Sequence, residues 1–130
     1  MKKNGFTMIE LLAAISIMAI LAIVAIPGFL ELYRNAIKNT FNDELNIIIR
    51  TAGQKYVLNW GTPQTFSNND NPLELTDNDI EYCISINATG QVTEFKAKNT
   101  KFQYDKTGVI TQTYPDDIDN LTDGFVVSCS

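Results

Sequence analysis

The 130-residue chain has no histidine, only two cysteines and a single tryptophan. Without histidine it lacks the side chain that most often serves as general base near neutral pH. Two widely spaced cysteines and no histidine cannot complete a tetrahedral zinc site. No Gly-x-Ser-x-Gly elbow and no glycine-rich phosphate loop is present. Acid pairs such as Glu74 with Asp77 or Asp79 read as loop solvation rather than a glycosidase dyad. No enzymatic activity and no cofactor is expected. Cations are scarce as well, with 10 Lys and Arg against 15 Asp and Glu, a net charge of −5. Nucleic-acid affinity rests on clustered Lys and Arg, so no direct nucleic-acid partner is expected. Lys96, Lys98, Lys101 and Lys106 form either a local basic patch on one hairpin or, as we expect, alternating lysines on the solvated face of an edge strand.

Apolar residues, by contrast, are concentrated. From Leu11 to Ile26 the only polar residue is Ser16, and Glu10 stands at the head of the run. A carboxylate at the bilayer centre costs about 2.5–3.5 kcal/mol on insertion scales, so an acidic residue here requires a partner. An ordinary secretory signal needs a short apolar region followed by a small-residue cleavage site. Lys2 and Lys3 suit it, but the run passes Pro27 and continues into Phe29, Leu30 and Tyr33 at helical spacing. A plain membrane anchor fits the length, since the 25 residues from Phe6 to Leu30 span about 30 Å of hydrocarbon. The leading lysines would stay cytoplasmic and the C-terminal bulk would face outward. Neither reading explains Glu10.

The stretch Gly5-Phe6-Thr7-Met8-Ile9-Glu10-Leu11-Leu12, with Pro27 further along the apolar helix, resembles the N-terminus of the type IV pilin family. The resemblance covers about residues 1–35. It implies that a prepilin peptidase cuts between Gly5 and Phe6 and that the new Phe6 amine is methylated. The exposed ammonium would lie one turn from the Glu10 carboxylate in a low-dielectric setting. The resemblance further implies that Glu10 of an incoming subunit neutralises the Phe6 amine of a neighbour in a filament, a register-setting contact. An acidic first turn favoured by the helix dipole is the simpler reading of Glu10. It does not account for the Gly5-Phe6 boundary.

Beyond Pro27 the apolar residues become periodic: Leu30, Tyr33, Ile37, Phe41, Leu45, Ile48, Ala52 and Tyr56 mark one stripe of an amphipathic helix. Pro27 lacks an amide donor and Gly28 weakens the same turn, which predicts a kink or local melting there. The helix should fade near Asn59-Trp60-Gly61, before Pro63. At 1.5 Å per residue it would make a rod of roughly 80 Å. Residues 62–80 read as a polar loop. Two hairpins follow, one turning at Ala88-Thr89-Gly90 and one at Asp105-Lys106-Thr107-Gly108. The expected fold is α+β: a long N-terminal helix on an antiparallel sheet of about four strands, as in pilins. The tail from Gly124 to Cys129 would add a fifth strand or a clasp. This divides the chain into a leader (1–5), an apolar assembly helix (6–30), an amphipathic half (31–60) and a head (61–130).

Cys83 and Cys129, in an exported domain, read as one disulfide. It would close a loop of 47 residues counting both ends, worth about 4 kcal/mol by chain entropy. Asp116, Asp117, Asp119 and Asp123 form a weak calcium candidate, although the EF-hand template fails and a solvated acidic loop is the simpler reading. Asn87-Ala88-Thr89 and Asn120-Leu121-Thr122 match the glycosylation pattern only in its short form.

The resemblance implies a filament subunit supporting adhesion, twitching motility or DNA uptake. It would be a single-pass membrane protein before assembly and surface-exposed after it, with the peptidase, a membrane assembly platform and further copies of itself as partners. A pseudopilin of a secretion or competence system, or a minor pilin, shares the same N-terminal pattern. A monomeric membrane-anchored binding domain is the alternative from another class.

Overall fold

The computed structural model describes residues 7–75 and 79–129. The chain falls into two compact units, residues 1–37 and 38–130. One helix, α1 (Met8–Leu58), contributes to both.

In the first unit, from Leu11 to Leu30, α1 is apolar on every side. Residues 8–36 are all exposed, with Ile9, Met18, Ile23 and Val24 each more than two-thirds accessible. By length and composition this helix is apolar enough to cross a membrane, with a mean hydropathy of 2.7 over its best window. The backbone stays helical through Pro27 and Gly28, so the local melting expected there does not occur. Ser16 returns its hydroxyl to the Leu12 carbonyl at 2.8 Å, which satisfies the one polar side chain inside the run.

In the second unit α1 turns one-sided. Phe41, Leu45, Ile48 and Ala52 are buried, the middle of the predicted stripe. They pack on a five-stranded antiparallel meander, β1 (Gln64–Ser67), β2 (Glu81–Ile86), β3 (Val92–Lys98), β4 (Phe102–Ile110) and β5 (Asp119–Asn120), in the order β1-β2-β3-β4-β5. Phe66, Ile84, Phe95, Ala97, Phe102 and Tyr104 bring the inward side chains of successive strands to the same core. Phe41 stacks on Phe102 with ring centroids 6.0 Å apart.

Three expectations need correction. Residues 62–80 are not all loop, because Gln64–Ser67 pairs with Ile86–Cys83 as the edge strand. The second hairpin does not exist: Phe102–Ile110 is one strand, and Gly108, at φ 100, occupies a bulge where Val92 faces Ile110 but Glu94 faces Thr107. The real turn joining β3 to β4 is at Asn99, whose side chain accepts the amides of Lys101 and Phe102. Finally, the fifth strand is not the tail but Asp119–Asn120, inside the acidic stretch. The Ala88-Thr89-Gly90 hairpin forms as expected, with Gly90 at φ 84.

Candidate processing and assembly site

Gly5 and Phe6, the expected cleavage pair, lie outside the described residues, as does Asp77. The site begins at Thr7. Its main-chain amide donates to Glu10 Oε2 at 3.3 Å, and the Glu10 amide donates to Thr7 Oγ1 at 3.1 Å. This reciprocal pair is a capping box: Thr7 is the N-cap and Glu10 the third helical residue. It satisfies two amides that helix geometry would otherwise leave unpaired. The Thr7-x-x-Glu10 spacing is the sequence signature of this cap, a role of Glu10 separate from its charge. Glu10 thus has an intrahelical partner at the start of α1, before any new amine exists.

The C-terminal tail is a clasp. Leu121 donates its amide to the Lys101 carbonyl at 2.9 Å, and Gln103 accepts from the amide and hydroxyl of Thr122. Further on, Lys98 Nζ donates to the Phe125 carbonyl at 3.0 Å. Cys129 then bonds to Cys83 on β2, with Cα atoms 5.8 Å apart. From β4 to β2 the tail is tied across the face of the sheet opposite α1. That cover explains why Cys83 is buried beside the inward Tyr82 and Ile84.

The lysines do not form a free basic patch. Lys96 pairs with Glu94, Lys98 with Glu81 and Lys106 with Asp117, each at 3.6 Å. Nor is β3 an edge strand, because β2 and β4 flank it. The acidic candidates are also dispersed. Asp116 and Asp117 sit in a 3-10 turn (Pro115–Asp117), Asp119 in β5 and Asp123 in a later turn. Among the described residues no three ligating side chains gather for a metal ion, so the calcium candidate is not assembled. Asn87 uses its side-chain oxygen to accept from Thr89 and Gln91 within the β2–β3 turn.

Sequence reasoning missed a polar hub inside the head. Thr113, 2% exposed, donates its hydroxyl to Asn42 Oδ1 at 2.7 Å and its amide to Asn46 Oδ1 at 2.7 Å. This hub pins the segment after β4 to α1, and only three-dimensional proximity reveals it. Tyr104 presents the opposite case: its hydroxyl is buried with no hydrogen-bond partner among the described residues. Burial, with the Asp117 carboxylate adding to it, pushes its phenol up to about 12.

Residues 1–26 match the family model of the prokaryotic N-terminal methylation motif. This chain carries the type IV prepilin leader signature. No curated protein and no solved structure matches it. The prepilin signature covers the capping box and most of the exposed apolar half of α1, so the head stands outside it.

Proposed function

We propose that this chain is a type IV prepilin whose mature form is a structural filament subunit. Leader removal between Gly5 and Phe6 by a prepilin peptidase, and methylation of Phe6, would leave an apolar helix beginning at the cut. One observation carries the reading: the methylation motif spans most of a fully exposed, largely apolar stretch of α1, and the same helix continues without a break into a compact α+β head. Such a helix needs lipid before assembly and other copies of itself afterwards. The subunit waits in the membrane with its head outside, meets the assembly platform there, and joins an open filament through contacts that do not close. Filaments of this kind serve adhesion, motility or DNA uptake at the cell surface.

In this reading the Glu10 carboxylate changes partners. The capping box holds it in the unassembled chain, and the Phe6 ammonium of a neighbour takes it in the filament. Glu10→Ala or Glu10→Val should leave insertion and cleavage intact while filament formation falls sharply. Normal filaments from either variant would refute this role. A pseudopilin is the nearest rival, and its calcium argument gains no support from the dispersed aspartates. The clasp closed by Cys83–Cys129 supports the pilin.

A further inference from the structure

Between Glu10 and Glu31 helix α1 carries no charged residue. The run from Leu11 to Leu30 is twenty residues, about 30 Å of helix at 1.5 Å per residue. That matches the hydrocarbon core of a bilayer and leaves little mismatch for tilt or thinning to absorb. The one hydroxyl in the run, on Ser16, is satisfied by the Leu12 carbonyl, so no side chain inside it calls for water. Glu10 then lies at one boundary of the hydrocarbon rather than at its centre, and Glu31 marks the other.

The second boundary carries groups that the first lacks. Phe29 and Tyr33, one turn apart, stack with ring centroids 6.2 Å apart. Both stay more than half exposed, at 64% and 53%. Aromatic rings with a polar tip, tyrosine among them, collect at the headgroup level, where an apolar body and a wet end are both accommodated. Arg34 and Lys38 follow, again one turn apart, the first exposed and the second half-buried. Among the described residues neither forms an ion pair, and nor does Glu31. Residues 31–38 thus hold two cations and one acid, a net positive collar in a chain whose net charge is −5. The aliphatic stems of Arg34 and Lys38 can lie along the apolar rim while their charged ends reach lipid phosphates. Cations so near the rim act within a Debye length of an anionic surface. The length of the run, the stacked rings and the cations at one end together name lipid as the cover.

We propose that Phe29, Tyr33, Arg34 and Lys38 form a collar seated in the headgroup layer on the head side of the membrane, with anionic phospholipid as the preferred ligand of the two cations. The inference rests on the membrane stage of the filament reading, before assembly. The full chain in vesicles of phosphatidylcholine and phosphatidylglycerol tests it. Trp60 is the only tryptophan, so in a Trp60→Phe background one introduced tryptophan is the sole reporter. Tyr33→Trp should be quenched severalfold more by a spin label at the headgroup than by one deep in the acyl chain. Ile20→Trp, at the middle of the run, should show the reverse. At equal amounts of the two lipids, brominated phosphatidylglycerol should quench Tyr33→Trp severalfold more than brominated phosphatidylcholine. Arg34→Gln combined with Lys38→Gln should abolish that preference and leave the depth pattern unchanged. Stronger quenching of Tyr33→Trp by the deep label overturns the proposal. Equal quenching by the two brominated lipids overturns it too, as does a preference that survives loss of both cations. If the chain does not enter vesicles at all, the membrane stage of the filament reading falls and the collar with it.

Discussion

Residues 8–36 and 38–58 belong to one helix yet obey different solvents. In the first, every position is exposed and nearly all are apolar. In the second, four apolar side chains and Asn42 are buried while Asp43, Ile47 and Arg50 face outward. The backbone is helical throughout, and only Pro27, which has no amide to donate, interrupts the ladder of hydrogen bonds. What differs is where the hydrophobic surface finds cover: from its own sheet in one half and, in the function proposed above, from lipid or other copies in the other. A helix hydrophobic all round is a buried helix whose partners belong to another phase or another chain.

Five substitutions test that contrast, taken from the largest effect down with Leu21 as the control for Leu45. Cys83→Ser should destabilise the head by about 4 kcal/mol in denaturant unfolding, because it frees the clasp that covers β2 and β3. It should leave leader cleavage unaltered. Leu45→Ala should cost about 3 kcal/mol, the usual consequence of a cavity under a fully buried leucine. Leu21→Ala, at 61% exposure, should change head stability by less than about 0.5 kcal/mol. Equal losses at Leu45 and Leu21 would erase the distinction between the halves.

Trp60→Gly should raise head stability by about 1 kcal/mol, since glycine relieves the left-handed backbone at the helix end. Tyr104→Phe has the smallest effect near neutral pH, because the hydroxyl it removes has no partner among the described residues. The difference appears in alkali. The phenol ionises near pH 10 when unfolded but only at about 12 in the folded head. The folded state therefore binds the proton more tightly. Its stability from this group is intact below pH 10 and is lost as pH rises through about 12. The Phe variant should unfold at a higher alkaline pH than the natural chain.

Much of this was legible in the residues. The stripe from Phe41 to Ala52 announced both the helix and its buried face, and Gly90 announced the first hairpin. Gly108 misled because a bulge and a turn make the same demand for positive φ; only the register against Val92 and Glu94 separates them. Gln64–Ser67 hid because a four-residue polar edge strand has too few apolar positions to show alternation. Thr113 was unreadable, since its partners Asn42 and Asn46 lie about seventy residues away. At the candidate site, the charge of Glu10 was plain, and the Thr7-x-x-Glu10 spacing is itself the sequence signature of its hydrogen bonds to Thr7.

The central claim is that the apolar half of α1 becomes the N-terminus of an assembling subunit. Intact-mass and N-terminal fragment analysis of the protein recovered from membranes tests it most directly. The account predicts a 125-residue chain beginning at a methylated Phe6, with Met1 to Gly5 absent. A chain still starting at Met1, or one cut elsewhere than between Gly5 and Phe6, would contradict it.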